Sequence, residues 1–269
     1  AWGQHIPNIV EFNFEGEPTS MSQAHNVYGM LMSRSSFEGM KKHRNNKRSL
    51  IITRATYSGG QRYSTIWTGD NASYDEHMLL GVRLVNSLGL AGFSFAGPDI
   101  GGFIGDPSRE LMARWLNIGI FTPFLRNHVA YDRNYREPWL FGKEYENIYR
   151  NFINLRYQLI PYLYSAAFEA SQTGMPVNRT LAINYTFDEN IYKYEFENEF
   201  LFGPFFLVAP VKSTDKYCKV YLPSGNWYRL NSDLFYKGKN EYIVDAPIDN
   251  LPVFIKAGAI IPLQSVVQY

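Results

Sequence analysis

With 269 residues, 45% of them hydrophobic, the chain has apolar material for one large core or two ordinary ones. Lys and Arg number 26 against 25 Asp and Glu, a net charge of +1 that gives no reason to expect nucleic acid or an anionic membrane as a partner. The one cysteine, Cys218, excludes an intrachain disulfide and a cysteine-rich metal site, and no apolar run approaches the ~20 residues of a membrane span.

The opening Ala1-Trp2-Gly3-Gln4-His5 has neither an initiator Met nor the basic and apolar regions of a secretion signal. The expectation is a mature piece or a chain that starts inside a longer protein. Pro7 and Pro18 rule out a long helix before residue 20. From Ser20 to about His43 the pattern is helical, with Met21, Val27, Met30, Leu31 and Phe37 roughly on one side, and the basic residues from Lys41 to Arg48 read as a solvated helix end. Ser49 to Arg54 reads as a short strand. The Gly-rich loop Tyr57–Tyr63 lacks the lysine and spacing of a phosphate loop.

Ser73-Tyr74-Asp75-Glu76 fits a capping box, Ser73 at N-cap and Glu76 at N3, opening a helix to about Leu88 with Gly89 as its stop signal. Ala91 to Ala96 is apolar on both faces, as parallel strands under helices are. Asp106-Pro107 predicts a helix start with Pro at N1, and Leu111, Met112, Trp115, Leu116 and Gly119 mark its buried side. Phe121 to Leu125 reads as a strand ending in Arg126-Asn127-His128. A long helix is expected over residues 143–171, kinked at Pro161, and another strand over 177–183. From about Phe205 the chain turns to short strands separated by turns such as Pro223-Ser224-Gly225-Asn226.

Four places stand out before that change: Ile51-Ile52-Thr53-Arg54, Trp67-Thr68-Gly69-Asp70-Asn71, Gly97-Pro98-Asp99-Ile100-Gly101-Gly102-Phe103 and Arg126-Asn127-His128. In each, a short apolar run gives way at once to a charged or aromatic residue. That rhythm suggests barrel strands whose C-terminal ends present polar groups to one mouth. It points to an enzyme for a neutral, hydroxyl-rich substrate, and the 20 Tyr and 19 Phe suit stacking on sugars as well as filling a core. The fold class expected is α/β: the second half of a (β/α)8 barrel over residues 1–204, then a small antiparallel β-sandwich domain over 205–269. About four strand–helix units are present of the eight a closed barrel needs, so the rest of the barrel is expected from residues outside this chain.

Read singly, these residues keep ordinary alternatives. Asp70 fits a helix cap or a loop turn, Arg54 an ion pair at the rim, Trp67 and Phe103 packing, and His128 a satisfied structural histidine. The three sequons at Asn71, Asn178 and Asn184 are read as chance matches, since a glycan on Asn71 would block the residue beside it.

In order, however, these motifs resemble glycoside hydrolase family 31. Thr53-Arg54 with Gly60-Gln61-Arg62-Tyr63, Trp67 to Asn71 and Gly97 to Phe103 carry the resemblance. Pro123 to His128, Glu137-Pro138-Trp139, Phe200 to Pro204 and Ala257 to Pro262 extend it over nearly the whole chain. The resemblance implies a β/α barrel followed by β-sandwich domains, acting on α-linked sugars with retention of configuration. It implies Asp70 as the general acid/base, protonating the glycosidic oxygen and then taking a proton from water. Arg54, Asp99 and His128 are implied at hydroxyl-binding positions, Phe103 as a stacking aromatic and Trp67 as a wall of the pocket.

The family's nucleophilic aspartate sits in an Asp-Met-Asn-Glu-Pro motif, which occurs nowhere in the 269 residues. Ala1-Trp2-Gly3-Gln4 resembles the sequence a few residues after that motif, so the nucleophile is expected on an upstream segment. Trp-Thr-Gly-Asp-Asn is more similar to the glucosidase members than to the xylosidase members. The resemblance thus implies an α-linked oligosaccharide or glycoside as substrate, α-glucosidase activity first, and α-galactosidase, α-xylosidase or transglycosylase activity or a non-catalytic sugar-binding remnant as alternatives. It implies no cofactor and no metal, in keeping with five histidines that show no ligand spacing with carboxylates.

Overall fold

The computed structural model of the chain describes residues 6–266. The expected continuation of the nucleophile motif at Ala1–Gln4 lies outside the described residues. The chain divides into two compact units, Ala1–Ile66 and Trp67–Tyr269. Among the described residues no helix is long and apolar enough to cross a membrane.

In the first unit the proline-bearing start folds as a hairpin, β1 Glu11–Phe14 against β2 Glu17–Ser20. Its turn places Glu15 and Gly16 at positive φ, the geometry that matches the twist of the flanking strands. Helix α1, Met21–His43, ends as expected in Lys41, Lys42 and His43. Strand β3, Ile52–Thr53, pairs in parallel with β4, Thr65–Trp67, through Ile52 to Thr65 and Thr53 to Ile66. The Gly-rich loop between them closes on a 3₁₀ turn at Gly60–Arg62.

The second unit opens with α2, Asp75–Leu90, and here the capping box is corrected. Tyr74 holds the N-cap position without a side-chain bond. The Ser73 hydroxyl donates instead to the carbonyls of Gly101 at 2.8 Å and Ile104 at 3.0 Å. The Ser73 side chain is oriented toward tertiary carbonyls and makes no cap bond to the helix. The strand expected over 91–96 shrinks to β5, Ala96–Gly97, followed by β6, Asp99–Ile100. Helix α3, Arg109–Gly119, starts two residues beyond Pro107 because Ser108 supplies the cap, its Oγ accepting from Leu111 N at 3.1 Å. Residues 121–125 form turns, and the strand is β7, Arg126–Asn127, parallel to β6 with Asp99 opposite Arg126.

The long helix is two: α4, Lys143–Gln158, and α5, Ile160–Thr173, broken at Leu159 (φ −81°, ψ 0°) with Pro161 in the first turn of α5. Proline lacks the N–H that a continuous helix would need there. Strand β8, Asn178–Thr180, is shorter than expected because residues 181–185 turn into α6, Leu181–Tyr185.

The antiparallel part consists of β9 Phe200–Phe202, β10 Phe206–Val208, β11 Tyr217–Leu222, β12 Asn226–Arg229, β13 Phe235–Lys237, β14 Asn240–Asp245 and β15 Val253–Lys256. Six strands make one sheet in the order β13-β12-β15-β10-β9-β8, and β11 pairs with β14. The sheet thus takes in β8 and β9, which precede the change of sequence character near Phe205. Alternation explains its apolar runs. Phe200, Phe202, Phe206, Val208 and Val253 face a core shared with α2, α3, α4 and α5, while Leu201, Leu207 and Phe254 face a second core with Val220, Tyr221 and Val244 from β11 and β14. A sheet covered on both faces needs hydrophobic residues at successive positions, and Phe-Leu-Phe and Phe-Leu-Val supply them.

Candidate active site

Three segments of the second unit build the site. The first follows β4: Gly69 at φ +89° precedes Asp70, which is half-buried. Thr68 is tied at both ends, its N–H to Gly97 O at 3.2 Å and its hydroxyl to Asn71 Oδ1 at 2.7 Å. The buried Asn71 carbonyl accepts from Phe103 N at 2.6 Å and Ile104 N at 3.0 Å. Asp70 therefore sits on a turn locked to the turn that carries Phe103. Gly102 is required where these turns meet: it lies at φ +84°, and a Cβ there would come within 2.8 Å of Ala72 and Ser73 backbone atoms.

The second segment carries Asp99, fully buried. Arg126 donates to one of its oxygens, Nε to Oδ1 at 2.9 Å and a terminal nitrogen to the same Oδ1. The other oxygen, Oδ2, is buried without a hydrogen-bond partner. Burial pushes the Asp99 carboxyl above the ordinary carboxylate range. The hydrogen bond and charge of Arg126 and the charge of His128 oppose that shift, while the negative charge of Asp70 adds to it. Asp70, Arg126 and His128 are thus each close enough to act on Asp99 electrostatically.

The third segment supplies Arg126 and His128. The Arg126 guanidinium lies 5.2 Å from the Trp67 ring centroid and 5.9 Å from that of Phe124, within cation–π range. His128 stacks on Phe103 with centroids 5.5 Å apart and planes at 24°. Of the residues singled out from sequence, Trp67, Asp70, Asp99, Phe103 and His128 come together in this unit. Arg54 belongs to the first unit, where it directly follows β3.

Arg126 was absent from the sequence-derived set although it stands in the same run as His128. The signal that identifies it is register: Asp99 and Arg126 are paired positions on adjacent parallel strands. Among the described residues there is no group of three or more His, Cys, Asp or Glu arranged to hold a metal. Chemically the arrangement offers a carboxylate held at one oxygen and buried without a partner at the other, a second carboxyl and an imidazole, between a tryptophan and a phenylalanine. That set suits hydroxyl donors on a molecule with apolar faces.

Comparison with known proteins identifies the family. Residues 4–166 match the glycosyl hydrolases family 31 TIM-barrel domain, and residues 174–261 the family 31 C-terminal domain. Alpha-glucosidase 2 of Bacillus thermoamyloliquefaciens is 42% identical over 253 residues, covering 94% of this chain and 32% of that protein. Neutral alpha-glucosidase C of Homo sapiens is 35% identical, covering 91% of this chain and 27% of that protein. Among solved structures, the Flavobacterium johnsoniae GH31 dextranase complexed with glucose superposes with a TM-score of 0.88 at 40% identity, over 93% of this chain and 32% of that one. A GH31 alpha-xylosidase from a soil metagenome, complexed with xylose, superposes with a TM-score of 0.83 at 29% identity, over 90% of this chain and 39% of that one. The chain spans about a third of the length of the relatives it matches.

Proposed function

The chain belongs to glycosyl hydrolase family 31, and on that premise we propose that it is the part of a retaining α-glycosidase, an α-glucosidase in the first place, that carries the general acid/base. Asp70 gives its proton to the departing glycosidic oxygen and later takes one from water. Asp99 and His128 hold hydroxyls of the bound sugar, and Phe103 and Trp67 supply apolar walls. The nucleophilic aspartate and the remaining barrel strands come from a segment upstream, this chain forming the second half of a (β/α)8 barrel and the β-domain behind it.

One observation carries the reading: the buried, unpartnered Oδ2 of Asp99 beside Asp70 and His128. A buried acceptor without a donor costs about 1–3 kcal/mol, and a sugar hydroxyl satisfies it. Bonds of this kind strengthen as positive charge develops on the sugar ring, so they contribute to rate as well as to affinity. The likeness to a xylosidase keeps α-xyloside as a second substrate class.

The test is hydrolysis of an aryl α-glucoside by this chain reconstituted with its upstream segment, with and without Asp70→Asn. Loss of a general acid is expected to lower turnover of the intact assembly by about 10²–10⁴-fold. Unchanged turnover in the variant overturns the acid/base assignment. An intact assembly that binds sugar and hydrolyses no α-glycoside favours a sugar-binding remnant.

A further inference from the structure

Resting on the reading of Asp70 as general acid/base, we propose that His77 is a positioning residue for that carboxyl. It holds the turn of residues 70–72 by accepting the Ala72 N–H at Nδ1 of its ring.

The two sides of this turn are held by different groups. Before Asp70, Thr68 N donates to Gly97 O at 3.2 Å, and the Thr68 hydroxyl reaches across to Asn71 Oδ1 at 2.7 Å. After Asp70, Ala72 N donates to His77 Nδ1 at 2.7 Å, and Asn71 Nδ2 donates to His77 O at 3.5 Å. His77 is the third residue of α2, the position from which a capping-box side chain reaches back to the N–H of the N-cap residue. The N-cap here is Tyr74, and the His77 ring reaches past it to the N–H two residues earlier. A backbone N–H only donates, so Nδ1 accepts and the ring carries its proton on Nε2.

The ring stands on a fixed support. Tyr74 meets it edge-on, with centroids 5.7 Å apart and planes at 83°. At the head of α2, Asp75 accepts from Ser213 N at 2.6 Å and from the Ser213 hydroxyl at 2.8 Å, and Glu76 pairs with Lys212 at 3.0 Å. The loop between β10 and β11 thus grips the first turn of α2, and His77 passes that grip to the residue two beyond Asp70. General acid catalysis needs the carboxyl within hydrogen-bond reach of the departing oxygen. A displacement of about 1 Å costs on the order of 10²-fold in rate, so a side chain that acts only through the backbone of this turn still bears on catalysis.

The experiment compares His77→Ala and His77→Asn with the unmodified enzyme, each assembled with the upstream segment, on an α-linked glucose disaccharide and on α-glucosyl fluoride. A sugar hydroxyl leaves only when protonated, whereas fluoride leaves with little help, and kcat/KM covers the steps up to that cleavage. A misplaced acid predicts kcat/KM on the disaccharide lower by about 10- to 100-fold in His77→Ala, with the fluoride within about threefold. His77→Asn keeps an acceptor oxygen near the position of Nδ1 and is expected to restore the disaccharide value to within about threefold. Equal losses on both substrates, no loss on the disaccharide, or a His77→Asn value as low as that of His77→Ala overturn the assignment. Hydrogen exchange at the Ala72 amide separates this from the acid/base reading itself, which falls if Asp70→Asn turns over unchanged. Faster exchange in His77→Ala, slowed again in His77→Asn, supports the hold on the turn even without hydrolysis, and exchange unchanged in His77→Ala rejects it.

Discussion

The site segment, residues 67–137, and the sheet, residues 178–256, belong to the same unit and are held together by different means. In the site segment the strands after β4 are two residues long, and Gly69, Gly101, Gly102 and Gly105 all take positive φ. Its turns are joined by side chains bonded to carbonyls, above all Ser73 and Arg136. In the sheet, strands of three or four residues satisfy one another through ladders, with the six-residue pair β11 and β14 beside them, and Trp227, Phe200, Phe202, Phe206 and Phe254 are essentially inaccessible to water. The difference shows where a protein can leave groups available. Ladders and hydrophobic burial stabilise the sheet without needing polar side chains. The site segment leaves one buried Asp99 oxygen without a partner while Arg126 occupies the other.

The largest expected effect lies in the sheet. Trp227→Ala removes a fully buried ring whose indole N–H donates to Pro223 O at 3.0 Å, and should cost about 3–5 kcal/mol, read by denaturant unfolding. A much smaller loss would mean that the β-domain relaxes around the gap. Next comes Asp99→Asn, expected to lower kcat/KM on an α-glucoside by about 30- to 1,000-fold, or ~2–4 kcal/mol, with little change in melting temperature. A large fall in stability with intact turnover would assign Asp99 to the frame and not to the ligand.

The smallest effect sharpens the exception on the sheet side. Glu199 is buried with Oε2 unpartnered, and burial holds its carboxyl well above the ordinary carboxylate range, while Tyr221 N bonded to Oε1 pulls the other way. The folded state therefore keeps a proton that the unfolded chain releases. Stability from this group is full below the unfolded value near 4.5 and is lost as pH rises toward the folded value. Glu199→Gln should flatten the fall in melting temperature above about pH 4.5, and an unchanged profile would show that Glu199 does not hold that proton.

The motif order was legible in the sequence, because Trp67-Thr68-Gly69-Asp70-Asn71 and Gly97 to Phe103 carry their chemistry in contiguous residues. So were the buried side of α3 and the basic end of α1, which follow from local periodicity and the helix dipole. The capping box at Ser73 and the helix start at Pro107 failed for one reason: a local pattern names a possible bond, and the folded surroundings decide which bond forms.

What the sequence determined by itself was the set of residue types at the strand ends, in motifs that resemble those of the family. The tertiary structure alone decided that Arg126 lies opposite Asp99, that one buried oxygen of Asp99 stays without a partner, and that Phe200 and Leu201 face different cores. Register and pairing are long-range choices between segments, made where burial and hydrogen bonds are satisfied together, and no stretch of sequence contains both sides of them.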